Sequence, residues 1–117
     1  MTVLLVLLGG ALGAPARYLA DVAVQRTHST AFPWGTWTVN VVGSFILGCV
    51  AAVTSGWPAT LAGTGFCGAL TTFSTFGYET MRLAEEGETA LAVTNAVGSV
   101  AAALAAAALG WWLGGAV

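Results

Sequence analysis

The sequence predicts an all-α membrane protein with four transmembrane helices per chain, on three observations. First, eight of the 117 residues are charged and 57% are hydrophobic, whereas an ordinary globular domain is about 25% charged. Second, the charges are clustered: no Asp, Glu, Lys or Arg occurs in the 16 residues before Arg17, the 52 between Arg26 and Glu79, or the 29 after Glu88. Third, a bilayer core about 30 Å thick is crossed by roughly 20 apolar residues in a helix, so the outer blocks supply one crossing each and the central block two. Eight charges cannot tile a water-facing surface, so a soluble enzyme is not expected. Without a basic patch there is nothing to neutralise phosphates, which excludes nucleic acid as a partner. Residues 1–117 are expected to form one four-helix transmembrane domain in a lipid bilayer, with spans near 2–24, 36–54, 59–83 and 89–113.

The first span opens with the apolar run Val3-Leu4-Leu5-Val6-Leu7-Leu8. It lacks the basic flank of a secretory leader and runs on into Gly9 and Arg17, which predicts a retained helix. Pro15 lies inside it as a possible kink point. A breaker-rich loop is expected over residues 27–33. The second helix ends at Ser55-Gly56-Trp57-Pro58, a strong turn signal. Trp34, Trp37 and Trp57 stand at its two ends, where interfacial tryptophans belong. An acidic loop, Glu85-Glu86-Gly87-Glu88, leads to a fourth helix that closes at Trp111-Trp112. Small-residue pairs such as Gly9 with Gly13 and Gly110 with Gly114 are expected to let helices approach closely. Cys49 and Cys67 lie inside spans and form no metal or redox motif.

The third span breaks the pattern. Residues 63–79 read GTGFCGALTTFSTFGYE, with glycines and hydroxyl residues at the middle of a crossing. Gly costs about 1 kcal/mol relative to Ala in a helix interior. Two readings stay open on these residues. In one the chain unwinds at membrane depth, and its freed carbonyls are buried or offered to an ion or water. In the other it is a small-residue packing helix whose hydroxyls bond back to their own carbonyls. Phe73 and Phe76, three apart, share a helix face. Such a pair serves either as core or as ring edges whose partial positive charge solvates an anion.

The run Gly65-Phe66-Cys67-Gly68-Ala69-Leu70-Thr71-Thr72-Phe73-Ser74-Thr75-Phe76-Gly77-Tyr78-Glu79 resembles the signature of the Fluc fluoride channels, also called CrcB. Three further pieces agree in order: residues 9–18, residues 33–40 and residues 43–48. The resemblance covers about the first 80 residues, and the fourth helix matches only in character.

The resemblance implies a passive fluoride channel that exports fluoride from a microbial cytoplasm and confers fluoride resistance, in the cell membrane of a prokaryote. It implies an antiparallel, dual-topology homodimer with two pores at the subunit interface, and a third helix broken near its middle. A structural sodium ion at the dimer centre would be held by backbone carbonyls at Gly68 and Thr71, with Gly68 permitting an unusual backbone. Phe73 and Phe76 fall on the phenylalanines that face the fluoride pathway, and Asn40 on a donor asparagine. Thr72, Ser74 and Thr75 would extend a line of donors, and Glu79 matches an acid near the pore end. Arg17 matches a vestibule arginine, with snorkelling to the headgroups as its bland alternative. Asn95 and Ser99, four apart on the fourth helix, either line the pathway or make an interhelical contact.

Two other functional readings stand beside this one. A small multidrug or guanidinium exporter needs a carboxylate in the middle of helix one, which this chain lacks, since Asp21 is near that helix's end. A non-conducting assembly subunit has no positive signal. Three arginines on one side are too few to choose between a homodimer and a pairing with a related, oppositely inserted subunit.

Overall fold

The computed structural model describes residues 1–27 and 32–116, so most of the loop expected over residues 27–33 lies outside the described residues. The elements in chain order are α1 (Thr2–Arg26), α2 (Trp34–Val53), α3 (Trp57–Ala59), a π-helical stretch (Thr60–Cys67), α4 (Gly68–Leu70), α5 (Ser74–Glu85) and α6 (Thr89–Gly115). Helices α1, α2 and α6 are each long and apolar enough to cross a membrane. The third segment is broken. An arm over residues 57–70 and the separate α5 are joined by the non-helical residues 71–73. The chain is an all-α membrane protein.

Helix ends are satisfied locally. Pro15 lies within α1 without ending it. At the end of α1 the Thr27 hydroxyl donates to the Val24 carbonyl at 2.7 Å, meeting one of the acceptors a helix terminus leaves bare. Helix α2 begins under α1: the Gly35 amide donates to Gln25 Oε1 at 3.1 Å, and a Cβ on Gly35 would run into the Asp21 carboxylate. An acidic group there suits the positive end of the α2 dipole. Gly56, at φ +70°, reverses the chain into Trp57 and Pro58, and proline in a first helical turn loses no hydrogen bond. Gly87, at φ +81°, closes α5. The Glu88 amide then reaches the Leu83 carbonyl at 2.8 Å and the Gly87 amide reaches Ala84 at 3.2 Å, the pattern of a left-handed glycine cap.

Close backbone contact holds the long elements together. Between α2 and α6, a Cβ on Gly48 would strike the Ala107 carbonyl, and one on Gly110 the Phe45 carbonyl. Between α1 and the π-helical stretch, a Cβ on Gly9 would strike the Leu61 carbonyl, and one on Gly13 the Phe66 carbonyl. Small residues let backbones approach in this way where lipid removes the hydrophobic drive for helices to associate. Side-chain burial within one chain is correspondingly sparse: Leu83 and Asn95 have no exposed surface and Cys67 only 1%.

The chain measures 46 × 29 × 22 Å, and its long axis matches a bilayer with headgroups, about 40–45 Å. Its accessible surface is 6870 Å², whereas a compact soluble monomer of 11.7 kDa would expose about 5,900 Å². The excess is apolar helix face: Leu4, Leu7, Leu12, Val97 and Leu104 are each more than half exposed.

Candidate functional site

The break over residues 71–73 is the centre of the site, and a side chain from α2 makes it. Asn40 Nδ2 donates to the Thr72 carbonyl at 3.0 Å, and the Thr72 amide donates to Asn40 Oδ1 at 2.7 Å. One amide side chain thus replaces both hydrogen bonds that the Thr72 peptide groups would have made in a continuous helix. Thr71 takes an extended conformation, φ −80° and ψ 158°. Gly43, one turn beyond Asn40 on the same face of α2, makes room for it, since a Cβ there would strike Thr71 Cγ2.

The break leaves the carbonyls of Gly68, Ala69, Leu70 and Thr71 without their helical donors. In a continuous helix the Thr72 amide would bond the Gly68 carbonyl and the Thr75 amide the Thr71 carbonyl. Here the first goes to Asn40 and the second to Thr72 Oγ1 at 3.2 Å. Among the described residues Gly68 and Thr71, like Ala69 and Leu70 between them, therefore present bare carbonyl oxygens. The expectation that Gly68 adopts an unusual backbone is corrected: it is ordinary helix at φ −62° and ψ −35°, and the departure from the helix occurs at Thr71, where Asn40 draws the chain away.

An open groove of about 440 Å³ runs along the break between α2 and α6, bordered by Asn40, Gly68, Thr71, Thr72, Phe73 and Phe76. Ser99 also borders it. The Phe73 and Phe76 ring centroids are 5.9 Å apart with planes at 43°. Phe73 is 84% exposed, so nothing within the chain covers the ring.

A second cavity of about 150 Å³ lies beyond Thr72, bordered by Arg17, Asp21, Thr36, Thr72 and Thr75. Thr72 borders both spaces. Arg17 makes no ion pair among the described residues, Asp21 included. Thr36, 2% exposed, donates a short 2.5 Å hydrogen bond to Glu79 Oε1.

The hydroxyls divide into engaged and available groups. Thr71 donates to the Cys67 carbonyl at 3.0 Å, and Ser99 to Asn95 Oδ1 at 3.0 Å. The Thr72 hydroxyl accepts from Thr75 but donates to no protein acceptor, and the Ser74 and Thr75 hydroxyls make no bond among the described residues. Asn40 keeps one amide N–H beyond the one spent on Thr72. Four donors around the break are thus unspent.

The structure brings Asn40, Gly68, Thr71, Thr72, Phe73, Phe76 and Ser99 to one groove, and Arg17 and Thr75 to the neighbouring cavity. Asn95 borders neither, being wholly buried between α5 and α6 with its Nδ2 donating to Thr80 Oγ1 at 2.7 Å. Sequence reasoning missed Gly43, Ser44, Thr36 and Thr80. Ser44 was within reach, since it follows Asn40 by four residues and shares its face on the groove. The Thr36–Glu79 and Asn95–Thr80 pairings join different helices and leave no local signal. No group of three or more His, Cys, Asp or Glu that could hold a metal ion occurs among the described residues.

A family model described as "CrcB-like protein, Camphor Resistance (CrcB)" matches residues 4–111. A Frankia casuarinae protein named "Fluoride-specific ion channel FluC 1" is 56% identical over 120 residues, covering 94% of this chain and 93% of that protein. One of the same name from Nocardia farcinica is 57% identical over 107 residues, with 91% and 75% covered. A Haloarcula marismortui protein named "Fluoride-specific ion channel FluC 2" is 51% identical over 104 residues, with 88% and 85% covered.

Proposed function

The chain belongs to the CrcB family, and from that membership we propose that its broken third segment builds the path by which fluoride crosses the membrane. The protein is a fluoride channel and not an enzyme, and it is a multi-pass membrane protein. The exporter alternative has no support in the geometry, because the Asp21 carboxylate is placed against the α2 N-terminus.

One observation carries the proposal: the same groove holds Asn40, the break and both phenylalanines, with unspent donors around it. Fluoride is small and strongly hydrated, so a path must replace its water with donors held in place. Asn40, Thr72, Ser74 and Thr75 supply N–H and O–H groups, and the edges of Phe73 and Phe76 supply weaker positive potential. Weak, repeated donors let the ion leave as readily as it enters. Thr72 stands between the groove and the Arg17 cavity, so an anion gathered by Arg17 meets the donor line there. Glu79, held by Thr36, marks the far side of α5, and Ser99 forms part of the groove wall.

The groove is open, and its bare backbone carbonyls cannot face hydrocarbon. A second chain covering this face, in antiparallel orientation, satisfies them and encloses two paths. A homodimer is the simplest such assembly, and a related subunit of opposite insertion is the alternative. Sodium fits the same face: the freed Gly68 and Thr71 carbonyls are hard oxygen donors, and two chains would present four of them. When bound, the ion supplies fixed positive charge that holds the two breaks together. The membrane is the cell membrane of a prokaryote, and transport is passive export down the fluoride gradient.

The test is fluoride-electrode efflux from proteoliposomes, with chloride as control. Fluoride efflux well above that of protein-free vesicles, with little chloride efflux, is expected. Equal efflux from both vesicle types refutes the proposal.

A further inference from the structure

We propose that Thr80 and Asn95 are positioning residues: a buried hydrogen-bonded chain from α6 through them to the Phe76 carbonyl sets the rotation of α5, and so the direction in which Phe76 faces the fluoride path. This rests on the reading above that Phe76 borders that path.

The Ser99 hydroxyl donates to Asn95 Oδ1 at 3.0 Å. Asn95 Nδ2 donates to Thr80 Oγ1 at 2.7 Å, and the Thr80 hydroxyl donates to the Phe76 carbonyl at 2.8 Å. Asn95 has no exposed surface and Ser99 only 5%, so water does not compete at the Asn95–Ser99 end, while Thr80 is half-buried. The polarity runs one way. Thr80 has a single proton and gives it to Phe76, so its oxygen must accept, and only the nitrogen of Asn95 can donate to it. The oxygen of Asn95 is thereby turned toward Ser99.

On the other flank of α5, Glu79 accepts from Thr36 of α2. Successive helical residues are about 100° apart, which places Glu79 about 60° to one side of Phe76 and Thr80 about 40° to the other. Adjacent residues therefore tie α5 to two different helices, with Phe76 one turn away on the face between them. Packing does not fix this rotation by itself, because Leu83 is the one buried residue of α5. Apolar contacts accept many rotations, whereas a hydrogen bond is lost when its angle fails.

The test uses the full-length protein in proteoliposomes, reading fluoride efflux, the fluoride-to-chloride ratio and dimer integrity by size exclusion. Thr80→Val should lower fluoride efflux about fivefold, since one hydrogen bond of about 1 kcal/mol corresponds to that factor in rate, and should narrow the ratio. Thr80→Ser keeps the hydroxyl and should conduct as the wild type does. The double variant Thr80→Val/Asn95→Leu removes both buried polar partners together, which is close to neutral for stability, and leaves Ser99 to bond its own helix. It should assemble normally and remain slow. Wild-type efflux and ratio in that double variant would overturn the proposal, because the chain would then serve stability alone. If Thr80→Val does not assemble, the double variant decides. Phe76→Ile separates the two levels: unchanged efflux in it overturns the path reading and this proposal with it. Lost efflux in Phe76→Ile with wild-type behaviour in the double variant overturns the positioning role only.

Discussion

Replacing Asn40 with Leu removes the clasp while keeping the branched outline of the side chain. Two hydrogen bonds, at 3.0 and 2.7 Å, are lost, and the Thr72 N–H and C=O are both left bare. Each unsatisfied buried group costs about 1–3 kcal/mol, so the clasped break loses about 2–6 kcal/mol. The chain can escape that penalty by healing the break, returning the Thr72 amide to the Gly68 carbonyl. Healing would withdraw that carbonyl from the proposed sodium site and turn Phe73 and Phe76 away from their present setting. Asn40→Leu should therefore lower both fluoride efflux and the denaturation midpoint of the purified protein, and should weaken the dependence of that midpoint on sodium. Asn40→Asp keeps the acceptor for the Thr72 amide but lacks the donor for its carbonyl. It also adds negative charge beside an anion path, so it should conduct no better than Asn40→Leu. Efflux and stability of Asn40→Leu matching the wild type would refute the reasoning, because the break would then be held by something other than Asn40.

Phe73→Ile and Phe76→Ile should each depress fluoride efflux while the dimer remains intact on size exclusion; for Phe73, 84% exposed within the chain, little stability within the chain is at risk. Adjacent glycines on α1 should behave oppositely. Gly9→Ala forces a methyl into the Leu61 carbonyl and should cost about 1–3 kcal/mol in denaturation. Gly10→Ala meets nothing nearer than the Ala69 methyl at 3.8 Å and should be neutral, or stabilising by up to about 1 kcal/mol. Exchanging sodium for N-methylglucamine at constant ionic strength should lower thermal stability, by about 2.7 kcal/mol where sodium had stood at 100 times its dissociation constant. A midpoint insensitive to that exchange removes the sodium proposal.

The fold class was legible because charge is excluded from hydrocarbon, so the gaps between Arg17, Arg26, Glu79 and Glu88 report the crossings directly. Glycines and hydroxyls mark residues 63–79 as a poor helix but leave a break and a small-residue packing helix both open; the resemblance to the fluoride channels is what favours the break. Its placement was not legible. Thr72 lies 32 residues from Asn40, and nothing in the local composition says that its peptide, rather than that of Gly68, will be drawn out. The π-helical form of Thr60–Cys67 was equally hidden, because it accompanies the close approach of Gly65 to Gly9 on another helix. For Asn95 and Ser99 the spacing of four put both on one face. Which face the helix turns inward is decided by the Gly48–Ala107 and Gly110–Phe45 contacts, beyond the reach of spacing.

The dependence of the break on Asn40 also bears on how the chain enters its membrane. In hydrocarbon a bare peptide group is costly, so a third segment inserted by itself is best accommodated as one unbroken helix. Only after α2 lies alongside can its amide take over the Thr72 peptide. Insertion and cracking are then separate events in biogenesis, the second awaiting helix association, as in a two-stage scheme. The break, the part proposed to handle ions, is thus assembled last, after every crossing is already in place.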